Sequence, residues 1–261
     1  MIIPDDIRVP QEKESLSLAI GITVIIFIFI LGISIGFFVI PFILIVLMIK
    51  QKQGSLLGNS VKITENQFPD IFKICKKAEI RLTMKMPDVF IYQSPALNAM
   101  ALGFWGRKSV ILHSALVETM SEDELSFIIG HEFSHIKCDH TNWTVFTSLK
   151  DSLNIPVISD ILSLIFNSWS RKAEYTCDRG GLLVNQNINS GISSLAKLSV
   201  GKELFSKLDL NAFKDQKEQV TDDDVAKLSE LIQTHPHIVN RIQGILRFAN
   251  SKKYQKLLTQ V

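Results

Sequence analysis

Two histidines four residues apart enclose a glutamate in the sequence His131-Glu-Phe-Ser-His135. On a helix such positions lie about 40° apart around the axis and about 6 Å apart along it, so both imidazoles can reach one ion. Glu132 projects about 100° round from His131, where it can take a proton from water. Imidazole suits zinc, which prefers nitrogen ligands and a tetrahedral site with one open position. The motif predicts one zinc ion per chain and Glu132 as the catalytic base.

A catalytic zinc site needs a third protein ligand, and Glu174 is the favoured candidate. It lies in the predicted helical segment Glu174-Tyr-Thr-Cys-Asp178, where Asp178 follows one turn later on the same face. Glu174 can then bind the metal while Asp178 accepts a hydrogen bond from a ligand imidazole. Cys138 is the rival, because seven residues after His131 it lies on nearly the same helix face. Further options are His140 and Cys177.

These three rivals also have ordinary structural interpretations. Cys138 and Cys177 are then small buried packing residues, and His140 is a solvated cation at a helix end. The three cysteines of the chain are an odd number without framework spacing, which argues against a disulfide-stapled secreted fold and favours a reducing compartment.

The elements that position the motif are predicted from caps and periodicity. Ser121 and Glu124 form a capping box that predicts a helix start just before His131. Upstream, we expect a helix at Thr64–Thr83 and then a small β-sheet. Its predicted strands are Asp88–Gln93, Asn98–Phe104 and Ser109–Leu112.

The chain after residue 152 has a helical pattern as far as Leu258. Breaks are predicted at Pro156, Gly180-Gly181, Gly191, the Asp222–Asp224 cap and His235-Pro236. The segment Trp143–Trp169 contains charged residues, and an amphipathic pair of helices, resting on a membrane surface, is favoured there over a membrane crossing. The predicted fold class is α+β, mostly helical, with the small sheet beside the motif helix.

The N-terminal part contains a long apolar stretch. Leu16 to Ile49 are 34 consecutive residues without Asp, Glu, Lys, Arg or His. As one helix they would extend about 51 Å, against a hydrocarbon core of roughly 30 Å. The acidic flank and the length argue against a cleaved signal peptide. Two geometries stay open: a hairpin turning at Gly32–Gly36, which is favoured, and one strongly tilted helix kinked at Pro41.

The predicted organisation is therefore a flank (1–15), a transmembrane anchor (16–49), a polar linker (50–60) and a catalytic domain (61–261). Lys50 and Lys52 follow the apolar run and favour a cytoplasmic catalytic domain. Membrane lipids are the expected partners of the anchor. The near balance of 28 basic and 26 acidic residues, a net charge of +2, argues against a nucleic-acid partner.

The order of motifs resembles a known family. The chain contains His-Glu-x-x-His, then Glu-x-x-x-Asp, then a late His-Pro followed by Arg-Ile. This order is similar to that of the HtpX-like and type I CAAX prenyl protease group of gluzincin zinc peptidases. The resemblance covers roughly Val61 to Ala249. It also includes Leu97–Gly103, Arg171–Arg179 and Thr234–Ile242. The stretch between His135 and Glu174 lacks the apolar segments of multi-span members, so the chain looks like a short form with only an N-terminal anchor.

The resemblance implies roles for three further residues. Asn98 would hold the substrate backbone, and an asparagine at a sheet edge can bond an added peptide strand. His235 and Arg241 would lie near the cleft and steady the transition state or the substrate carbonyl. The structural interpretations are a turn asparagine, a helix-start histidine and a salt-bridged surface arginine.

Taken together, the residues predict a membrane-anchored zinc endopeptidase that hydrolyses protein or peptide substrates, and the resemblance implies a role in membrane protein quality control. Two other classes stay open. One is a membrane-bound scaffold or chaperone-like protein with a structural zinc site, although such a site has no need of Glu132. The other is a zinc hydrolase that does not act on peptides.

Overall fold

The structure, a computed structural model, describes residues 2–31, 35–103, 106–143, 156–209, 233 and 235–260. The helices are α1 Pro4–Ile7, α2 Pro10–Leu31, α3 Ile35–Gly58, α4 Pro69–Arg81, α5 Ser114–Thr119, α6 Glu122–Lys137, α7 Pro156–Asn185, α8 Ile188–Val200, α9 Lys202–Phe205, α10 Ile238–Ala249 and α11 Lys252–Leu258. The strands are β1 Ser60–Lys62, β2 Asp88–Tyr92, β3 Ala99–Leu102 and β4 Ser109–His113. The predicted class, mostly helical with one small sheet, is confirmed.

The four strands form one sheet in the order β1-β2-β4-β3. β2 runs parallel to β4, while β1 and β3 are antiparallel to their neighbours. Among the described strands, β3 therefore pairs on one side only and forms an edge. Its contacts with α6 place this edge beside the helix that carries the histidine motif.

Helix α6 begins at the predicted capping box. Ser121 Oγ accepts a hydrogen bond from Glu124 N at 3.4 Å, and Glu124 Oε2 accepts one from Ser121 N at 2.8 Å. The helix is buried on nearly all sides, and Phe127 and Phe133 are fully buried within the core. Because α4, α7, α8 and β3 all contact it, α6 is held as a rigid central element.

Glu124 also joins α6 to α8, and this pair should contribute to stability. Its Oε2 lies 2.7 Å from Lys197 Nζ. Burial raises the pKa of Glu124. Hydrogen bonds from Lys197 and Ser193, together with the positive charge of Lys197, outweigh burial and lower this pKa overall. We expect Glu124→Gln to reduce the free energy of unfolding by about 1 kcal/mol at pH 7.

The pH dependence of this loss has a defined sign. A carboxyl group whose pKa is lower in the folded state than in the unfolded state stabilises the fold at pH values above the unfolded-state pKa. This stabilisation is lost as pH falls through the folded-state pKa. The difference between wild type and Glu124→Gln in urea unfolding should therefore narrow in acid, below the ordinary pKa of 4.5. Glu122→Gln, an exposed control in the same turn, should change stability by less than about 0.5 kcal/mol. A pH-independent difference would contradict the role of the Glu124 charge.

The predicted break at Gly180-Gly181 is wrong, because both glycines lie inside α7. They are the contact points between α6 and α7. A Cβ at Gly181 would lie 2.7 Å from the carbonyl oxygen of Phe127, and a Cβ at Gly130 would lie 2.7 Å from Val184 Cβ. Glycine is needed here for close approach of two helices, which outweighs its poor helix propensity. The break predicted at Gly191 is also wrong, since that residue lies inside α8.

The predicted polar linker at 50–60 is helical through Gly58, where α3 ends, and β1 follows at Ser60. The prediction of a linker is wrong for most of this segment because the helix of the apolar stretch continues through it. Each residue added to an existing helix gains one helical hydrogen bond. Within the described residues, one helix, Pro10–Ile30, is long and apolar enough to cross a membrane. The number of spans stays a prediction.

The N-terminal flank packs into the main hydrophobic core. Ile2 and Ile7 are fully buried in the same cluster as the residues of α6. Ala19 of α2 packs against Phe166 and Trp169 of α7. The flank is therefore structurally continuous with the domain predicted to begin at residue 61.

Two predictions fall partly or wholly outside the described residues. The Asp222–Asp224 cap lies entirely within 210–232, which the structure does not describe. Of the amphipathic pair predicted at Trp143–Trp169, residues 144–155 are outside as well. The predicted break at His235-Pro236 agrees with the structure, because α10 begins just after it. The break at Pro156 stays a prediction, since the residues before it are not described.

Candidate active site

The three predicted metal ligands converge in the structure. His131 Nε2 lies 3.2 Å from His135 Nε2 and 3.6 Å from Glu174 Oε2, and His135 Nε2 lies 3.4 Å from Glu174 Oε1. Zinc bonds of about 2.0–2.1 Å in a tetrahedral site place ligand atoms about 3.3 Å apart. The donor set and its spacing therefore fit a zinc ion. The close packing of α6 against α7 brings the carboxylate of Glu174 to the two histidines.

A cysteine also lies near this group. Sγ of Cys177 and one ring nitrogen each of His131 and His135 lie within 4.8 Å of one another. Burial raises the pKa of the Cys177 thiol well above its usual range, which disfavours the thiolate that binds metals. Cys177 does not line the cavity beside the histidines, whereas Glu174 does. Cys138 is the C-cap residue of α6, and it does not line this cavity either.

Asp178 makes the contact predicted for it. Its Oδ1 lies 3.0 Å from His131 Nδ1, on the opposite side of the ring from the metal-facing nitrogen. Arg241 donates to both oxygens of Asp178, from Nη2 at 2.6 Å and from Nε at 2.9 Å. Burial raises the pKa of Asp178, but the Arg241 charge and the His131 hydrogen bond outweigh burial and lower it. An ionised Asp178 can hold the His131 ring in the tautomer that leaves Nε2 free for metal.

Arg241 also contacts Glu174, with Nη1 3.1 Å from Oε2. Burial raises the pKa of Glu174, but Arg241 and the neighbouring histidines hold it well below its usual range. His235, an exposed residue at the rim, places Nδ1 3.2 Å from Glu174 Oε2, and that hydrogen bond raises the pKa of His235. Arg241 is thus engaged with two buried carboxylates, and its predicted contact with substrate stays a prediction, as does that of His235.

A cavity of about 430 Å³ opens at these residues. Glu132 lines it together with His131, His135 and Glu174, as required of a base that acts next to a metal. The edge strand β3 lines the cavity through Ala99, Met100 and Ala101, and Asn98 lies at its start. Asn98 is one of the residues that line the cavity; its carbonyl accepts a hydrogen bond from His113 N, and its side-chain Oδ1 accepts one from Ala99 N at 2.9 Å.

Two neighbouring residues have roles beside the site that the sequence did not assign: His140, named above as an optional ligand, contacts a ligand histidine, and Glu12 was not predicted. His140 is buried, contrary to its interpretation as a solvated cation, and it contacts His135. Glu12, from the N-terminal flank, is buried against His140. The position of His140 five residues after His135 was a weak sequence signal for its role. Glu12 is one of several charged residues of the flank, and no pattern in the sequence distinguished it.

Comparison with known proteins finds relatives among the peptidases. The model described as "Peptidase family M48" matches residues 65–249. The chain is 30% identical over 217 residues to "Plastoglobule-localized metallopeptidase 48, chloroplastic" of Arabidopsis thaliana, covering 77% of the chain and 63% of that protein. It therefore spans less than two thirds of the length of that relative.

Bacterial proteins are similar as well. The chain is 28% identical over 245 residues to "Protease HtpX homolog" of Streptococcus equi subsp. equi (strain 4047), covering 76% of the chain and 80% of that protein. The protein of the same description from Helicobacter acinonychis (strain Sheeba) is 25% identical over 261 residues, with coverage of 83% and 81%. No solved structure matches the chain.

Proposed function

Because the chain belongs to peptidase family M48, we propose that it is a zinc-dependent endopeptidase, anchored in a membrane by its N-terminal helix, that hydrolyses peptide bonds of proteins. The observation that carries the proposal is the convergence of His131, His135 and Glu174 at tetrahedral spacing beside Glu132 in an open cavity. A structural zinc site is closed by protein ligands, whereas a catalytic site keeps one position open. The open cavity therefore favours a peptidase over a scaffold.

His131, His135 and Glu174 would hold the zinc ion, which when bound supplies a Lewis acid that polarises a carbonyl and acidifies water. Asp178 keeps the His131 ring oriented, and Arg241 keeps both Asp178 and Glu174 in place. Glu132 accepts the proton of the attacking water and passes it to the leaving amine. His235 at the rim, and Arg241 where it faces the cavity, would donate hydrogen bonds to the oxyanion.

The substrate is proposed to bind as an extended strand. β3 is a sheet edge that lines the cavity, and an added strand would satisfy its free backbone groups. Asn98 would donate to or accept from the same peptide backbone. Such main-chain recognition is largely independent of side chains, which suits a protease that acts on unfolded or damaged proteins. This supports a role in membrane protein quality control.

The apolar stretch from Leu16 to Ile49 is proposed as the anchor, with the catalytic domain on the cytoplasmic side. The apolar length of Pro10–Ile30 and the two lysines after the apolar stretch, Lys50 and Lys52, support this arrangement. Carbonate extraction of membranes and protease protection of the catalytic domain test it. Release of the chain by carbonate would contradict the anchor.

The proposed activity is tested with the full chain in detergent and an unfolded protein as substrate. We expect one zinc ion per chain, and cleavage that a chelator abolishes and zinc restores. Unfolding on chelation with no cleavage before it would support the scaffold instead. Cleavage of small esters or amides but not of peptides would support the non-peptide hydrolase.

Glu174→Ala should strongly weaken zinc binding at the site. Loss of one of three ligands leaves two imidazoles, and we expect zinc affinity to fall by at least about 100-fold. The fold should persist, since α6 and α7 are joined mainly by apolar contacts. Zinc content after dialysis against a competing chelator measures the effect.

Cys177→Ser and Cys138→Ser are the matched controls for Glu174→Ala. Each replaces a buried thiol by a hydroxyl of similar size, and both should retain zinc within about threefold of wild type. Retention of zinc by Glu174→Ala together with its loss from Cys177→Ser would transfer the third-ligand role to the cysteine.

A further inference from the structure

The second ring nitrogen of His135 faces a buried histidine. His135 Nδ1 lies 3.2 Å from His140 Nδ1, and the opposite nitrogen of His140, Nε2, lies 2.8 Å from Glu12 Oε1. Both Glu12 and His140 are almost fully buried, at 1% and 2% exposure. A continuous line of hydrogen bonds therefore leads from the metal-facing histidine to a carboxylate on α2, a helix remote in sequence.

Proton positions along this line follow from the chemistry of imidazole. If His135 binds metal through Nε2, its Nδ1 carries the ring proton and donates a hydrogen bond to His140 Nδ1. A neutral His140 then carries its own proton on Nε2, which donates to Glu12 Oε1. The Cys177 sulfur lies 3.5 Å from the same His140 Nδ1, which accepts in this arrangement and can accept from the thiol as well. The two rings have the tautomers that the site needs without any further group.

Glu12 is held firmly enough to act in this way. Its second oxygen, Oε2, accepts a hydrogen bond from the Thr176 hydroxyl, and Arg8 Nε lies 3.1 Å from Oε1. Arg8 is itself fixed, since its Nη2 donates to the Cys138 carbonyl at 2.7 Å. Val9 N donates to Thr176 Oγ1, and Arg179 Nη1 donates to the Arg8 carbonyl at 3.1 Å, so the backbone of the flank is bonded to α7 at both residues.

We propose that Glu12 and His140 are positioning residues of the zinc site, which orient His135 as Asp178 orients His131. The inference rests on the proposed function, because it assigns these residues to the same metal. The two ligand histidines then differ. His131 is supported directly by a carboxylate of α7, whereas His135 is supported through a second imidazole by a carboxylate of the N-terminal helix.

A consequence is that the N-terminal segment completes the metal site. Glu12 lies in the first turn of α2, the same helix that continues into the apolar stretch. The matched family region begins at residue 65 and does not include it. A catalytic domain without this segment would keep all three ligands and still bind zinc more weakly.

The test measures zinc affinity of the full chain in detergent by competition with a chromophoric chelator, using zinc alone as probe. Loss of a partner behind a ligand histidine typically weakens metal binding 10–100-fold. We expect Glu12→Gln to weaken zinc binding about tenfold and His140→Ala about 10–100-fold. Glu14→Gln, the same charge change at an exposed position two residues away, should leave the affinity unchanged.

The double variant Glu12→Gln with His140→Ala distinguishes positioning from general destabilisation. Since Glu12 acts only through His140, the double variant should bind zinc no more weakly than His140→Ala alone. Multiplied effects, or a Glu12→Gln affinity equal to that of Glu14→Gln, would overturn the inference. If Glu12→Gln does not fold, His140→Gln tests the same link, and wild-type affinity in that variant overturns it. Absence of stoichiometric zinc from the wild type would instead overturn the proposed function.

Discussion

A Glu132→Gln variant should retain zinc and lose peptide cleavage by about 1000-fold. The amide has the shape of the carboxylate but cannot accept a proton from water, and general base catalysis is typically worth 10²–10⁴-fold. Glu132 lies beside the metal-facing nitrogens in the cavity without being one of the converging ligands, so zinc affinity should stay within about threefold of wild type. The measurement is the rate of cleavage of an unfolded protein at saturating zinc.

The matched control is Glu118→Gln, the same change at an exposed position of α5. It should cleave at the wild-type rate. Full activity of Glu132→Gln would exclude the mechanism, and loss of both zinc and activity would make Glu132 a structural residue of the site. Comparison of membrane proteomes with wild type and Glu132→Gln would then identify fragments that depend on this base.

Gly181→Ala should strongly destabilise the fold. It should also move Glu174 of α7 away from the histidines of α6 in the metal site. The added Cβ would lie 2.7 Å from the backbone carbonyl of Phe127, which cannot rotate away, so α6 and α7 must move apart. Overpacking of this kind costs about 1–3 kcal/mol or more, despite a gain of about 1 kcal/mol in helix propensity. Because His131 and Glu174 lie on the two helices, we also expect zinc affinity to fall about tenfold.

Gly54→Ala is the control, since it lies in the interior of α3 with nothing within 4 Å of the added Cβ. It should be neutral or slightly stabilising. Urea unfolding and chelator competition measure stability and zinc affinity for both variants. Wild-type stability of Gly181→Ala would show that the two helices tolerate greater separation, and that the glycine is not required by their packing.

Local chemistry was readable from the sequence because it depends on residues close together in the chain. The capping box at Ser121 and the spacing of His131 and His135 are properties of one helix, so its start and its metal-facing side followed directly. The carboxylates of Glu174 and Asp178 also followed, since their spacing places them on one face of a second helix. Three of the four described strands, β2, β3 and β4, were predicted from strand-like apolar runs to within one or two residues at their ends, whereas β1 at Ser60–Lys62 was not predicted.

The same local reasoning failed where packing decides. Gly180-Gly181 has the composition of a helix break, and only the approach of α6 explains why the helix continues there. The polar composition of residues 50–60 indicated a linker, although a preceding long helix extends through most of it. In both places tertiary contacts or helix cooperativity outweighed a composition signal worth about 1 kcal/mol per residue.

What the sequence determined by itself is the donor set of the site: two imidazoles and a base on one helix, and two carboxylates on another. What only the tertiary structure decided is how these donors are supported. Arg241 joins the two carboxylates, and Glu12 contacts His140, 128 positions away in the chain, which in turn contacts His135. Hydrogen bonds between such distant residues depend on how the helices pack, and no periodicity in the sequence encodes them.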